Sequence, residues 1–459
     1  MLSLITGSHG SRREFLRVGG LALGGLTLPA LLQTQQAMGE TSLARPKSVV
    51  FLFMHGGPSQ VETFDPKMEA PVGIASATGE VSTKLPGVTF GGTFPKLASL
   101  ADRLSVVRSF TTGDGNHDIK PIVGKSTGGA NIGSLYSRIV GANKKSGMPT
   151  NVALYPQAVD DSTQPVIKNF GDFESTGPLG AGYAPFAPSG GGTVQENLKL
   201  QIEPDRLDDR RTLLTRLDTI RREMDVRDRW AGMDAIREQA YSTMLGGVAD
   251  AFDLSKESAD VIARYDTDPI VRPNQIDKKW NNYNHYCDNA KSLGKLLLLA
   301  RRLCERGAGF VTVTTSFVWD MHSDSNNAGV EEGMRYMGHP FDHAVSAFIE
   351  DVHNRGLQND ILLVCCGEMG RTPKINARGG RDHWGGLAPL LLSGGGLPMG
   401  QVVGQSTSDA SRPLSPPIGI PNLVSTVLGT LVDIPQLRLK TGVPNEVLKA
   451  ATVDPISFG

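Results

Sequence analysis

The segment SVVFLFM at residues 48–54 is followed at once by HGGPS at residues 55–59. A short run rich in valine and phenylalanine, with no charged residue, predicts a strand that is buried on both faces. Further runs of this kind occur at residues 104–107, 309–315, 361–366 and 389–392. Because helical patterns alternate with these runs, we predict an α/β fold with a mostly parallel sheet and helices on both faces.

Two helical patterns are the clearest between the strands. Residues 339–355 carry apolar side chains at helical spacing and stop before Gly356. Residues 286–306 are rich in leucine and stop before Gly307. Glycine directly after the last periodic residue is typical of a helix end.

Two regions depart from the alternation of strands and helices. Residues 156–200 are rich in Gly, Pro and Ser, which predicts a long loop excursion. Residues 204–240 are highly charged and carry apolar residues near helical spacing, which predicts a solvated helical insertion. We expect both regions to belong to a single large domain over residues 40–459.

The first 39 residues have the composition of an export signal. Arg12 and Arg13 precede an apolar stretch at 18–32, which is too short and too rich in glycine for a stable membrane span. We therefore predict a twin-arginine signal peptide at residues 1–39, recognised by the twin-arginine translocase. The mature protein would lie in the periplasm or cell envelope. Because this route carries folded proteins, it suits a protein that acquires a metal in the cytoplasm.

The composition argues against other classes. A net charge of −1 over 459 residues leaves no basic surface for nucleic acid. After the signal there is no apolar stretch long enough to span a membrane. The four cysteines form no C-x-x-C pair and predict no disulfide framework, as expected of a protein that folds in a reducing compartment.

Polar side chains with metal-binding chemistry flank several predicted strands. Three segments follow strands and one precedes a strand, namely HGGPS at 55–59, WDMH at 319–322, GEMGRTP at 367–373 and RDHW at 381–384. Ligands bind at the carboxyl ends of parallel strands, and imidazole with carboxylate suits zinc, manganese or iron. The best candidate ligands are Asp320, His322, Glu368, Asp382 and His383, followed by His55 and His117. The structural alternative is that Glu368 and Asp382 pair with neighbouring arginines.

A second chemistry depends on Ser126. The segment GKSTG at 124–128 fits the G-x-S-x-G elbow, and Ser126, Asp320 and His383 follow the chain order of a hydrolase triad. However, Pro121 makes the residues before Ser126 a poor central strand, which the elbow requires. A serine esterase is therefore the second enzyme hypothesis.

The chain resembles the exported bacterial domain-of-unknown-function family 1501, which is placed in the alkaline phosphatase and sulfatase-like superfamily. The resemblance rests on HGGPS (55–59), TFDPK (63–67), LARRL (299–303), WDMH (319–322), GEMGRTP (367–373) and GRDHW (380–384), besides the twin-arginine start. It implies an alkaline phosphatase-like fold, a three-layer α/β/α sandwich with a mixed, mostly parallel sheet. It also implies a superfamily whose members hydrolyse phosphate and sulfate esters with bound metals.

Two positions differ from the pattern of that superfamily. The metal-binding Asp that usually ends the first strand is His55 here. The usual nucleophile lies roughly nine residues before a Thr-Gly pair, and this position is Asp118, beside His117. The comparison therefore favours a metal-activated water over a covalent intermediate, with His117 and Asp118 at the catalytic position. Arg371 would clamp an anion, because a guanidinium matches a tetrahedral oxyanion bidentately.

We thus predict an exported metal-dependent hydrolase of phosphate or sulfate esters that uses a divalent metal, zinc or manganese. Its ligand would be a small anionic ester or a sulfated or phosphorylated glycan. The alternative from another class is a non-catalytic envelope protein that keeps the fold for binding or assembly. The missing nucleophile favours this alternative, whereas the set of carboxylates and imidazoles favours the enzyme.

Overall fold

The structure, a computed structural model, describes residues 43–188, 248–315 and 317–459. The predicted signal peptide at 1–39 and the predicted helical insertion at 204–240 lie outside the described residues. The described part of the predicted loop excursion, residues 156–188, consists of loops and short 3-10 turns.

A seven-stranded mixed sheet lies at the centre of the described residues. In spatial order its strands are β12 (Gln401–Val403), β4 (Ser105–Val107), β11 (Leu390–Gly394), β8 (Ile361–Cys366), β1 (Ser48–Phe53), β7 (Phe310–Thr314) and β6 (Asn151–Leu154). β11 is antiparallel to both of its neighbours, whereas the other pairs are parallel. The predicted mostly parallel sheet is confirmed, and each of the five predicted runs forms one of its strands.

Six shorter strands form three two-stranded sheets in the described ranges. They are β2 (Glu80–Ser82) with β3 (Thr89–Gly91), β5 (Phe110–Thr111) with β13 (Ile418–Gly419), and β9 (Gly370–Arg371) with β10 (His383–Trp384). In the last pair His383 lies opposite Arg371. This pairing joins two of the segments that carry predicted site residues.

Within the described ranges the α-helices are α1 (Pro95–Ser99), α2 (Ile132–Val140), α3 (Ala259–Tyr265), α4 (Tyr283–Glu305), α5 (Val330–Asn354), α6 (Ile420–Leu431), α7 (Ile434–Leu439) and α8 (Asn445–Ala451). The predicted helices correspond to α4 and α5. α5 begins at Val330 rather than at residue 339, and Pro340 lies inside it. Proline is typical of the first turn of a helix, so the sequence pattern predicts a helix start near Pro340, later than the observed start at Val330. None of the helices in the described ranges combines the length and apolar character that a membrane span requires.

The helices pack on the sheet in two groups. α4 contacts α3, α5 and strands β1 and β7. α2 and α6 contact each other, and α2 contacts β7 while α6 contacts β1. Val50 and Leu52 share a buried cluster with residues of α4 and α5. Val49 and Phe51 alternate with them along β1 and so face the opposite side of the sheet. This is the predicted three-layer α/β/α arrangement.

Candidate metal centre

Three neighbouring parallel strands bring the site residues to one edge of the sheet. β1, β7 and β8 end side by side, and their chains continue into the segments that begin at His55, Phe317 and Gly367. The β9–β10 pair adds His383, and the loop after β5 adds His117. The site is therefore assembled from five separate segments of the chain.

Gly56 allows the loops after β1 and β7 to meet. Its φ is +115°, and a Cβ atom on it would lie 2.6 Å from the backbone nitrogen of Asp320. Its N–H donates to Oε1 of Glu368 at 2.9 Å, which links both loops to the segment after β8. The close approach and the positive φ both require glycine at this position of the HGGPS motif.

His117, Asp320, His322 and His383 form a compact group, here called the four-residue cluster. Their potential ligand atoms all lie within 4.8 Å of one another. Oδ1 of Asp320 is 2.8 Å from Nε2 of His322, and 3.4 Å from Nε2 of both other histidines.

The separations between ligand atoms match the coordination sphere of one metal ion. Nε2 of His322 and Nε2 of His383 are 3.3 Å apart. With Zn–N bonds of 2.0–2.1 Å and tetrahedral angles, two ligand nitrogens are about 3.3 Å apart. The nitrogens of His322 and His383 are thus spaced as two ligands of a single divalent ion.

Asp320 is held as a buried carboxylate. Its Oδ2 accepts a hydrogen bond from Nδ2 of Asn327 at 3.1 Å, and its Oδ1 lies 2.5 Å from Nη2 of Arg371. Burial acts to raise the pKa of Asp320, but the Arg371 charge and the three neighbouring histidines hold that pKa well below its usual range. The carboxylate is therefore ionised, which is the form that binds metal.

His117 has the orientation of a metal ligand. Its Nδ1 lies 3.0 Å from Oε1 of Glu368, and donation to this carboxylate leaves the lone pair on Nε2. Nε2 is buried and has no hydrogen-bond partner among the described residues. Histidine ligands usually donate their other ring N–H to a carboxylate or carbonyl. Burial acts to lower the pKa of His117, but the carboxylates of Asp320 and Glu368 outweigh this effect and raise it.

Three other predicted ligands lie outside the four-residue cluster. Glu368 is fully buried beside it and accepts from Gly56 and His117, so it orients one ligand. His55 is buried among aromatic rings, and burial lowers its pKa. Asp382 is exposed and accepts from Nδ2 of Asn376 at 3.0 Å. Neighbouring residues of an extended segment point to opposite sides, so His383 faces the cluster and Asp382 faces away from it.

The two remaining predicted catalytic residues, Arg371 and Asp118, also have protein partners. Arg371 is buried, and it donates through Nε to the carbonyl of Gly57 at 2.7 Å and through Nη2 to the carbonyl of Gly56 and to Asp320. These contacts fix Asp320, and the role of Arg371 as an anion clamp stays a prediction. Asp118 lies 3.1 Å from Nζ of Lys120 and is not in the cluster.

The geometry of a serine elbow is missing around Ser126. Residues 118–123 form turns rather than a strand, and Ser126 lies on a short 3-10 turn at Lys125–Thr127. Among the described residues, no hydrogen bond joins Ser126 to His383. The chain order that suggested a triad therefore has no counterpart in space.

Asn327 and a pair of aromatic rings beside the cluster, here called the Phe170–Phe317 wall, were not predicted from the sequence. Phe170 and Phe317 stack with ring centroids 4.6 Å apart, and the His117 ring lies 5.2 Å and 4.6 Å from them. Phe170 comes from the predicted loop excursion, where no periodicity signals a role. Asn327 lies in a polar segment that follows His322. This closeness in sequence to a predicted ligand could have indicated that Asn327 lies near the site.

Comparisons with known proteins were made for sequence and for structure. The sequence matches the family model described as "Protein of unknown function (DUF1501)" over residues 46–439. A search of curated proteins gives no match.

Several solved structures are similar to this chain. One is the PsFucS1 sulfatase from Pseudoalteromonas sp., with 12% identity, 92% of this chain and 72% of that chain covered, and a TM-score of 0.35. Another is the phosphonate monoester hydrolase of Agrobacterium radiobacter, with 11% identity, 84% and 74% covered, and a TM-score of 0.35. A third is the lipoteichoic acid synthase LtaP from Listeria monocytogenes, with 12% identity, 89% and 77% covered, and a TM-score of 0.27.

These TM-scores are all below 0.5, so the site is interpreted from its own geometry. The family match is different, because it spans most of the chain and includes the segments that form the four-residue cluster. The chain therefore belongs to the DUF1501 family of proteins of unknown function.

Proposed function

We propose that this protein is a metal-dependent hydrolase of phosphate or sulfate esters. The observation that carries the proposal is the convergence of three imidazoles and one carboxylate within 4.8 Å. These four residues would hold a divalent ion, zinc or manganese. Such an ion polarises an ester oxygen and lowers the pKa of water to about 7.

The surrounding residues have roles that the contacts define. Glu368 keeps the proton on Nδ1 of His117 and so directs the Nε2 lone pair into the cluster. Arg371 and Asn327 hold the two oxygens of Asp320 in place. The Phe170–Phe317 wall keeps water away from one side of His117.

The charges favour an anionic substrate. The four-residue cluster contains one carboxylate, so a divalent ion there, with neutral imidazoles, leaves a net positive charge. A negatively charged ester, either a small molecule or a sulfated or phosphorylated glycan, would be attracted to it. The same charges do not distinguish phosphate from sulfate, and the substrate panel below includes both.

The test is a metal and activity assay on the purified mature protein. We expect about one equivalent of divalent metal, and hydrolysis of at least one nitrophenyl phosphate or sulfate ester. A chelator should abolish hydrolysis, and added manganese or zinc should restore it. Ser126→Ala should leave the rate unchanged, since no hydrogen bond joins Ser126 to the four-residue cluster in the described ranges. Activity that survives the chelator, with Ser126 labelled by a fluorophosphonate probe, would overturn the proposal.

One observation favours a second candidate, a metal-containing protein that binds without catalysis. Four protein ligands complete a tetrahedral zinc site, whereas catalytic zinc sites keep a position for water. Zinc in a closed site would therefore indicate binding or assembly, while a metal of higher coordination number such as manganese would leave positions open. Stoichiometric zinc with no turnover of any ester would select this candidate.

We further propose export through the twin-arginine translocase to the periplasm or cell envelope, based on Arg12, Arg13 and the apolar stretch after them. Replacing both arginines with lysine should leave the precursor in the cytoplasm. The control is Lys replacement of Arg45, which lies after the signal. Undiminished appearance of processed double variant outside the cytoplasm would contradict the proposal.

A further inference from the structure

We propose that Lys120 is a built-in cation in a loop of calcium-binding type, and that it positions His117 for the four-residue cluster. The inference rests on the proposed metal site, because His117 is one of its ligands. Metal-dependent ester hydrolysis does not itself require Lys120, and Lys120 is not among the predicted site residues.

The loop has the residue spacing of a calcium site. The sequence Asp114-Gly115-Asn116-His117-Asp118 places oxygen-bearing side chains at alternate positions, as in the Asp-x-Asn-x-Asp start of a calcium loop. In such loops the alternate residues turn their oxygens towards one central cation. His117 occupies one of the intervening positions.

The centre of this loop is filled by a side-chain ammonium. Nζ of Lys120 lies 2.7 Å from Oδ1 of Asp114, 3.1 Å from Oδ1 of Asp118 and 3.3 Å from the carbonyl oxygen of Asn116. The Lys120 side chain is only 12% exposed, although both carboxylates reach solvent. The ammonium donates hydrogen bonds to Asp114 and to the carbonyl of Asn116, and it forms an ion pair with Asp118.

Backbone hydrogen bonds to the same carboxylates tighten the loop. The N–H of Asn116 donates to Asp114 at 2.9 Å, and the N–H of Lys120 donates to Asp118 at 3.2 Å. The hydrogen bond from Lys120 holds the pKa of Asp114 below its usual range. The two residues on either side of His117 are therefore tied to a common centre.

The loop also packs directly on the segment that carries another ligand. A Cβ atom on Gly115 would lie 3.0 Å from Cβ of His383, and one on Gly385 would lie 2.4 Å from the backbone of Asp114. Because both glycines permit this approach, the position of the loop sets the distance between His117 and His383. Their ring centroids are 4.2 Å apart.

Without the ammonium, Asp114 and Asp118 would face each other as like charges across the loop. We expect the loop to open, and His117 to lose the position that its contact with Glu368 requires. The effect should appear in metal affinity, since loss of an orienting contact typically weakens metal binding 10- to 100-fold.

The experiment measures manganese and zinc binding to the full mature chain by competition with a chelating dye. Lys120→Met should weaken binding at least tenfold, whereas Lys120→Arg, which keeps the cation, should stay within about threefold of the unaltered protein. Lys125→Met is the matched control, because Lys125 is exposed and has no described ion pair. A triple variant, Lys120→Met with Asp114→Asn and Asp118→Asn, removes the repulsion and should bind more tightly than Lys120→Met alone.

Three results would overturn the inference. They are unchanged metal affinity in Lys120→Met, equal loss in Lys120→Arg, and no recovery in the triple variant. Hydrogen exchange of residues 114–118 gives a readout that does not depend on metal. If the unaltered protein binds no metal, the proposed function fails, but faster exchange of this loop in Lys120→Met alone would still support the built-in cation. Equal exchange in all variants would exclude it.

Discussion

Two groups of ionisable side chains in the described part of the chain, each built around a buried residue, differ in how their charges are matched. One is the four-residue cluster. The other, here called the arginine cluster, joins α4 and α5 to the segment before α3 and consists of Glu257, Arg301, Arg302, Glu305, Asp351 and Arg355.

The arginine cluster neutralises itself. Arg301 is fully buried, and its nitrogens lie 2.9 Å from Glu257, 2.6 Å from Glu305 and 2.9 Å from Asp351. Arg355 contacts the same three carboxylates at 2.9–3.3 Å. Three cations meet three carboxylates, so nothing further is needed to balance the group.

The four-residue cluster does not balance in this way. Three imidazoles surround one carboxylate oxygen, and two of their nitrogens face each other at 3.3 Å. These nitrogen and oxygen atoms converge on one point, where a bound ion or proton would satisfy them. The comparison teaches that convergence of potential ligand atoms on one point, rather than burial or charge, distinguishes a candidate site from a structural ion network.

Loss of Arg301 should have the largest effect on stability. Arg301→Ala leaves buried carboxylates without their cation, which typically costs about 3–5 kcal/mol of the free energy of unfolding. Urea unfolding measures this cost, and metal affinity of the folded protein should be unchanged. Arg306→Ala is the control, because Arg306 is exposed and should stay within about 0.5 kcal/mol. A large loss of metal affinity in Arg301→Ala would remove the distinction between the two groups.

Loss of His322 or His383 should have the opposite effect, a large loss of metal affinity and a small change in the free energy of unfolding. Either change to alanine removes one ligand, and we expect metal affinity to fall at least 100-fold while the unfolding free energy of the metal-free protein changes by less than about 1 kcal/mol. His353→Ala on α5 is the control for loss of an imidazole. Strong destabilisation of the metal-free protein would indicate that the four-residue cluster is structural.

A smaller effect is expected for the contact that orients His117. Glu368→Gln keeps the size of the side chain but replaces one acceptor oxygen, and it should weaken metal binding about tenfold. Glu331→Gln, at an exposed position in the first turn of α5, is the control. If metal affinity is unchanged in Glu368→Gln, the Glu368–His117 contact does not prepare a ligand.

The smallest predicted effect is the pH dependence of the arginine cluster. Burial acts to raise the pKa of Glu257, but Arg301 and Arg302 outweigh it and lower that pKa to about 2. Because the folded pKa lies below the unfolded value, the stabilisation is complete above about pH 5 and is lost as the pH falls towards 2. The free energy of unfolding of Glu257→Gln should therefore decline less over this interval than that of the unaltered protein, by about 1 kcal/mol. Parallel pH curves for the two proteins would contradict this.

The features that sequence predicted best are those that depend on local composition. The runs at 48–54 and 361–366 form β1 and β8 almost to the residue, because continuous apolar segments have few alternatives to a buried strand. β12 was not predicted, since it has only three half-buried residues and its pairing with β4 depends on tertiary structure.

The candidate site was predicted only in part, because local sequence locates strand ends but not the direction of each side chain. Strand ends located Asp320, His322 and His383 correctly near one point. Sequence alone did not separate His383 from its neighbour Asp382, because this choice depends on which side of β10 faces the cluster. The motif LARRL at 299–303 also carried the family resemblance, yet its arginines belong to the structural ion network.

The β9–β10 pair has a practical consequence for engineering. The segment between the two strands begins and ends at the same point, where the N–H of Thr372 donates to the carbonyl of Asp382 at 2.8 Å. Residues 377–379 form its exposed tip, while Gly380 packs against His322. A fluorophore or a short insertion at the tip would therefore lie close to the four-residue cluster and leave His383 in place. Ala377 is thus a suitable attachment point for a reporter of ligand binding.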